Sequence, residues 1–134
     1  MKEFPLQIVT PDKTVLDGNA TSLLIRTAAG DVEILAGHAE LLSALGTGRA
    51  RIRFADGSET LASVSGGFLS VSGGKVCVAA TAAELSDEVD LARAEAARQR
   101  AEERIRNAKD KDEITLAKAK LARALSRISV KTAK

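Results

Sequence analysis

All ten glycines and both prolines of this 134-residue chain lie within residues 1–85, and residues 86–134 contain neither. Glycine supplies positive φ for tight turns, and proline interrupts helices and sheet hydrogen bonding, so a segment that uses both is typical of short strands and turns. A long segment with neither, rich in Ala, Arg, Lys and Glu, can run as uninterrupted helix. The sequence therefore predicts two domains of opposite type, residues 1–85 and 86–134.

Alternating apolar side chains, separated by Gly-rich turns, predict a series of short strands in the first domain. The predicted strands cover residues 4–9, 15–16, 22–27, 32–35, 50–54, 60–64, 68–71 and 75–79. The second of these is expected to end at Asp17-Gly18-Asn19, and residues 36–42 are expected to form a loop with a single turn. This spacing indicates an antiparallel β-sandwich or barrel, and we take the sandwich as the expectation.

The second domain is predicted to be an antiparallel two-helix hairpin. Ser86 is the expected N-cap of the first helix, and Asp110 with Glu113 resembles a capping box for the second. The expected apolar stripe of the first helix is Leu91, Ala94, Ala97, Ala101, Ile105 and Ala108, and that of the second is Ile114, Ala117, Leu121, Leu125 and Ile128. Since burial stabilises by about 25 cal/mol per Å² and alanine buries little, the hairpin should depend on the sandwich or on another protein.

Composition excludes several classes of function. The only aromatic residues are three phenylalanines, which argues against single-stranded nucleic-acid binding. His38 is the sole histidine and Cys77 the sole cysteine, so the sequence offers no catalytic set, no metal-ligand set and no intrachain disulfide. We expect Cys77 to be a small core or near-core residue. No apolar stretch reaches the length of a membrane span, and the first residues do not resemble a leader, which predicts a soluble intracellular protein.

One cluster of charged residues could carry binding chemistry. If the helices pack antiparallel, Arg93, Arg123 and Arg127 are expected to converge, with Asp90 and Glu84 nearby. Guanidinium groups suit phosphate oxygens, and a carboxylate suits an amino group or a ribose hydroxyl. The alternative is that these arginines simply form salt bridges with the two acids, and the spacing alone leaves both open.

Four short motifs together resemble the epsilon subunit of bacterial F-type ATP synthases, over the whole chain. They are Ile8-Val9-Thr10-Pro11-Asp12-Lys13, Gly37-His38-Ala39-Glu40-Leu41-Leu42, Ser65-Gly66-Gly67-Phe68-Leu69 and Val89-Asp90-Leu91-Ala92-Arg93-Ala94. Glu40 stands where that family commonly has proline, which could alter a loop that meets a partner. Val89 stands where it has Ile or Leu, which is a conservative change.

The resemblance implies a non-catalytic subunit at the foot of a central stalk. Its partners would be the gamma subunit and the ring of c subunits, and the catalytic alpha and beta subunits when the helices extend to inhibit ATP hydrolysis. It would be peripheral, at the cytoplasmic face of the bacterial plasma membrane, and would reach the membrane only through its partners. The resemblance also implies ATP as a regulatory ligand of the compact hairpin and no required cofactor. The matching ATP positions are Glu84, Asp90, Arg93, Ala94, Arg100, Arg123 and Arg127, and Asp31 and His38 lie in loops that resemble the gamma and c-ring contact region.

Two other functions remain as alternatives. A free-standing nucleotide-binding sensor would use the same hairpin, and only copurification with a membrane ATPase separates it from a stalk subunit. A small RNA-binding module would use the basic helical domain, in which Lys and Arg exceed Asp and Glu. The scarcity of aromatic residues weighs against the RNA-binding alternative.

Overall fold

The structure is a computed structural model that describes residues 2–133. Ten strands are followed by a 3-10 turn at Ser86–Glu88 and two α-helices. The strands are β1 (Phe4–Val9), β2 (Thr14–Ala20), β3 (Ser22–Thr27), β4 (Gly30–Ile34), β5 (Leu41–Ala44), β6 (Thr47–Arg53), β7 (Glu59–Ser65), β8 (Phe68–Ser72), β9 (Lys75–Ala79) and β10 (Ala82–Leu85). The helices are α1 (Leu91–Asn107) and α2 (Lys111–Thr132). Among these residues, no helix is both long enough and apolar enough to cross a membrane.

The strands form a sandwich of two five-stranded sheets, which confirms the predicted fold class. The first sheet has the order β2-β1-β9-β8-β5 and the second has the order β10-β7-β6-β3-β4. Every pairing is antiparallel except that of β1 with β9, which is parallel. The inward-facing side chains of both sheets form one apolar core, whose largest fully buried members include Leu6, Ile8, Leu23, Ile52 and Leu69.

Three strand predictions are wrong in the same way. β2 does not end at Asp17-Gly18-Asn19 but continues to Ala20, because its pairing with β1 extends to Phe4. The expected loop over residues 36–42 is a loop only to Glu40, and β5 then begins at Leu41 and pairs with β8. Residues 82–85, for which no strand was predicted, pair with β7 as β10. In each case the strand forms because a neighbouring strand provides hydrogen-bond partners, and the local sequence alone does not predict it.

The first helix begins later than predicted. Ser86 is not its N-cap; the cap is Asp90, whose Oδ1 accepts a hydrogen bond from the Arg93 backbone N–H at 3.1 Å. Val89, directly before the cap, is buried against Ala94, an arrangement that fixes the direction from which the chain enters a helix. Ala108 lies beyond the last residue of α1 rather than on its stripe.

Asp110 caps the second helix as predicted, but the reciprocal contact of the capping box is shifted by one residue. Asp110 caps α2 by accepting the Glu113 backbone N–H at 2.8 Å. The Glu113 carboxylate reaches back to the Lys109 backbone N–H at 2.9 Å, one residue before the cap. These two contacts satisfy N–H groups at the turn between the helices and keep that turn short.

The hairpin is compact and lies on the outer face of the second sheet. Its α2 helix contacts β6 and β7. Val89, Ala94 and Val130 form a small buried cluster there, with Leu61 and Ile128 packed against it. Buried within the same interface, the Ser63 and Ser126 hydroxyl oxygens are 2.9 Å apart. The hairpin therefore packs on the sandwich through a small apolar contact, one buried hydrogen bond and an ion pair between Arg127 of α2 and Glu84 of β10.

The helix faces differ in part from the predicted stripes. Ala94, Ala101 and Ala117 are buried as expected, but Leu91 and Leu125 are 37% and 47% exposed. Ala124 and Val130 are buried instead, because α2 turns one side toward α1 and another toward the sheet.

Candidate functional site: a cationic cleft between the helices

A cleft of about 480 Å³ lies where the two helices meet strand β10. Five cationic side chains line it, Arg100 and Arg104 from α1 and Lys120, Arg123 and Arg127 from α2, together with one carboxylate, Glu84 of β10. The remaining lining is alanine, from Ala82, Ala97, Ala101 and Ala124. Small side chains leave the space open, and the long cationic ones surround it, so the cleft suits an anionic group of some size.

Glu84 meets one of these arginines directly. Arg127 Nε lies 2.7 Å from Glu84 Oε1, and both side chains are largely covered. The N–H of Arg127 is not directed at that oxygen, so the contact is an ion pair without hydrogen-bond geometry, and the buried Nε has no hydrogen-bond acceptor in the part of the chain that the structure describes. The salt bridge considered from the sequence therefore exists for Arg127, and it leaves Arg100 and Arg123 without a carboxylate within 4 Å among the described residues.

Of the seven positions proposed from the resemblance, four line this cleft: Glu84, Arg100, Arg123 and Arg127. The other three lie elsewhere. Asp90 is engaged as the cap of α1, Arg93 is exposed, and Ala94 is buried beside Val89 and Val130. The expectation that Arg93 converges with Arg123 and Arg127 is wrong for this compact arrangement, because Arg93 lies on the first turn of α1 and does not line the cleft.

The sequence reasoning missed Arg104 and Lys120. Their signal was available in the spacing, since Arg100 and Arg104 are four residues apart on α1, and Lys120, Arg123 and Arg127 are three and four apart on α2. By contrast Arg98 is neutralised on its own helix. Hydrogen bonds and charge from Glu95 and then Glu102 raise its pKa, and it does not line the cleft.

Asp31 does not lie in a loop, as the resemblance implies, but within β4, while His38 lies in the β4–β5 loop beyond the other end of that strand. The register pairs Arg26 with Asp31 at one end of β4 and Leu23 with Ile34 at the other, from which the chain continues to His38. β4 and β5 are each the outermost strand of their sheet, so both Asp31 and His38 lie along this edge of the sandwich. His38 is half-buried, and its Nδ1 is 2.7 Å from the Ala39 carbonyl oxygen.

Asp31 has an ion-pair partner on the neighbouring strand. Arg26 Nε donates to Asp31 Oδ1 at 2.9 Å. This hydrogen bond holds the pKa of the Asp31 carboxyl below its ordinary value and raises the pKa of Arg26. Asp31 is therefore a carboxylate at neutral pH with its position fixed by the sheet.

Comparison with known proteins identifies the family. Residues 3–86 match the family described as ATP synthase, Delta/Epsilon chain, beta-sandwich domain, and residues 87–132 match its long alpha-helix domain. The ATP synthase epsilon chain of Bacillus subtilis (strain 168) is 41% identical over 130 residues, covering 97% of this chain and 98% of the relative. That of Ruminococcus albus is 39% identical over 135 residues, covering 100% of both chains.

Solved structures share the fold. A chain of the mitochondrial ATP synthase of Euglena gracilis matches with a TM-score of 0.78 at 23% identity, covering 90% of this chain and 76% of that one. A chain of the central stalk and c-ring structure of the Tetrahymena thermophila mitochondrial ATP synthase matches with a TM-score of 0.67 at 18% identity, covering 98% of each. A β-sandwich that carries a helical hairpin is thus an architecture found in rotary ATP synthases. This chain belongs to the ATP synthase delta/epsilon chain family.

Proposed function

We propose that the chain works as a non-catalytic central-stalk subunit of a proton-translocating F-type ATP synthase, coupling c-ring rotation to ATP synthesis. The observation that carries this is the family match across both domains. The gamma subunit and the c-ring are the proposed partners, with Asp31 and His38 on the docking edge formed by β4 and β5. The protein would then be peripheral, held at the cytoplasmic face of a bacterial plasma membrane through those partners.

Crosslinking tests this assignment. In a variant whose only native thiol is removed by Cys77→Ser, Asp31→Cys or His38→Cys is expected to crosslink to gamma or c subunits in the assembled enzyme. Asp56→Cys, in the exposed β6–β7 turn, is the matched control and should not crosslink. Absence of crosslinks from both positions, together with failure to copurify with a membrane ATPase, would favour a free-standing sensor instead.

We also propose that the hairpin regulates ATP hydrolysis. In the compact form the helices lie on the sandwich through a small contact, and an element held with a small free-energy difference is suited to a switch. When extended, the helices would reach the catalytic alpha and beta subunits and inhibit hydrolysis. Deleting residues 86–134 should preserve coupling and remove inhibition, because the sandwich has its own core. A truncated protein that fails to assemble would instead make the hairpin a structural element.

ATP is the proposed regulatory ligand of the cleft. Arg100, Arg123 and Arg127 would contact the phosphates, with Arg104 and Lys120 adding positive charge, and Glu84 would accept from the adenosine end or orient Arg127. Asp90, Arg93 and Ala94 would then help to form and position the start of α1 and would not contact the nucleotide. Because the cleft is built from both helices and β10, ATP would favour the compact hairpin by its differential affinity for that form.

Calorimetry on the intact chain tests ATP binding. Arg127→Ala is expected to weaken ATP binding roughly ten- to a hundredfold, since a charge-assisted contact is worth roughly 1.5–3 kcal/mol. Arg106→Ala removes an exposed cation of α1 outside the cleft and should change affinity little. No heat at millimolar ATP, or equal affinity in wild type and Arg127→Ala, would leave these arginines as salt-bridge residues.

A further inference from the structure

A second groove, distinct from the helical cleft, lies between the outer face of the second sheet and the C-terminal half of α2. Its volume is about 550 Å³. Strands β3, β4, β6 and β7 form its floor, and Leu125, Ser126 and Ser129 of α2 form its wall. The groove exists only while α2 is docked, because one of its walls belongs to the hairpin.

The groove contains positive charge that its own acids do not neutralise. Arg26, Asp31 and Glu59 also line the groove, and both carboxylates have cationic partners on adjacent strands. Arg26 pairs with Asp31 at 2.9 Å, and Arg53, just outside the groove, pairs with Glu59 at 3.1 Å. Arg49 and Arg51 line the groove between them, and within residues 2–133 neither has a carboxylate within 4 Å. The groove therefore carries two uncompensated guanidinium groups.

Arg51 has apolar neighbours on the sheet, which makes it energetically unfavourable for its guanidinium group to lack a hydrogen-bond acceptor. On the sheet it lies between Leu61 of β7 and Leu24 of β3, which are its register partners. Its side chain is half-buried, and its Nε is fully covered with no hydrogen-bond acceptor among residues 2–133. A covered donor without a partner loses its hydration with nothing in exchange, so an acceptor supplied by a ligand would be favoured.

The spacing suits a small oxyanion. Arg49 and Arg51 are alternate residues of β6, so their side chains leave the same face about 7 Å apart along the strand. Two guanidinium groups at that separation can both donate hydrogen bonds to the oxygens of one tetrahedral anion. No acidic residue of α2 lines the groove, so the helix does not repel such an anion, and it adds the hydroxyl of Ser129 as a donor.

We propose that this groove is an anion site for inorganic phosphate, formed by Arg49 and Arg51 of the sheet and completed by α2. Phosphate bound there joins the sandwich to the hairpin and stabilises the compact form. The site is independent of the helical cleft, since the two share none of their lining residues.

Thermal unfolding of the intact chain with millimolar phosphate against chloride, at constant ionic strength, tests the proposal. Phosphate is expected to raise the Tm of wild type and to slow hydrogen exchange of α2 amides. Arg51→Gln and Arg49→Gln should each weaken the apparent phosphate affinity about tenfold or more. Arg53→Gln is the matched control on the same strand and should keep the full response.

Three results with these variants would overturn the proposal, and a fourth applies if Arg51→Gln does not fold. The first is a phosphate response no larger than that of chloride. The second is an equal loss of response in Arg51→Gln and Arg53→Gln. The third is a response lost in Arg123→Gln but kept in Arg51→Gln, which would place the anion in the helical cleft. If Arg51→Gln does not fold, Arg51→Lys replaces it, because lysine keeps the charge and removes the bidentate guanidinium group. Arg51→Lys should still bind phosphate more weakly than wild type. An unchanged phosphate affinity in both Arg51→Lys and Arg49→Gln would also exclude the site.

Discussion

At the scale of single residues, the bend between β7 and β8 depends on the absence of one side chain. Gly67 has φ +93°, and a Cβ at this position would lie 1.9 Å from the Ala79 carbonyl oxygen and 2.8 Å from the Ala80 Cα. Both atoms are backbone, so neither can move aside without disturbing β9. Gly73 also has positive φ, +59°, but open space surrounds it in the β8–β9 turn.

The first prediction compares these two glycines. Gly73→Ala should cost about 1–2 kcal/mol of unfolding free energy, the penalty of a left-handed backbone for a residue with a Cβ. Gly67→Ala adds a backbone clash and should cost roughly 3 kcal/mol or more. Urea unfolding of both variants measures the difference. If the two substitutions destabilise equally, the close approach of Gly67 to β9 is not a constraint on the fold.

The second prediction concerns the ion pair between Arg26 of β3 and Asp31 of β4. Because the Arg26 hydrogen bond lowers the pKa of Asp31, the stabilisation from this pair is present above the ordinary aspartate pKa of about 3.9 and is lost as pH falls through the lowered value. The carboxyl carbon of Asp31, followed by NMR, should titrate below that ordinary value in wild type and return to it in Arg26→Gln. Arg53→Gln should leave the titration unchanged, and a normal Asp31 titration in wild type would contradict the pairing.

At the scale of secondary-structure elements, the hairpin is joined to the sheet by the buried contact between Ser63 of β7 and Ser126 of α2. The third prediction is that Ser63→Ala or Ser126→Ala alone costs about 1–3 kcal/mol, because each leaves a covered hydroxyl without its partner. The double variant should cost less than the sum of the two. Unfolding monitored separately for the hairpin and the sandwich measures this, with exposed Ser72→Ala as control. Additive effects would mean that the two hydroxyls do not interact.

How much of these elements the sequence predicts depends on where their stabilisation arises. The alternation of Phe4, Leu6 and Ile8 and the Asp110–Glu113 cap are local signals, and the structure has β1 and α2 where those signals place them. The strands β5 and β10 have weak local patterns and form because β8 and β7 offer open edges, which no short window of sequence contains. The N-cap of α1 is Asp90 and not the predicted Ser86, because buried Val89 keeps the chain extended directly before Asp90.

The candidate site, too, is predicted from the sequence only where its residues are placed by local helical spacing. The clustering of Arg123 and Arg127 follows from helical spacing, and both line the cleft. Which residues of α1 face them depends on how far the two helices slide past each other, which sequence spacing does not fix. The structure sets Arg100 and Arg104, not Arg93, opposite Arg123, so the α1 side of the arginine cluster expected from spacing is displaced by about two turns. Arg100, which the resemblance implies as an ATP position, does line the cleft.

At the scale of the whole molecule, α2 separates two positively charged spaces, the cleft against α1 and the groove against the sheet. Both are built only when the hairpin is folded down, so anions bound in either one favour the compact form. Because the apolar contact beneath α2 is small, a ligand bound in either space would add substantially to the stability of the compact hairpin.

The last prediction tests whether release of the hairpin is what inhibits hydrolysis. Ser63 and Ser126 are in direct contact, the proximity that an engineered disulfide needs. In the Cys77→Ser background, Ser63→Cys with Ser126→Cys should lock the hairpin down when oxidised. The assembled synthase should then hydrolyse ATP without inhibition, and a reductant should restore inhibition. Ser126→Cys alone, treated in the same way, controls for the oxidant. If the oxidised enzyme is inhibited as strongly as the reduced one, inhibition does not require the hairpin to leave the sheet.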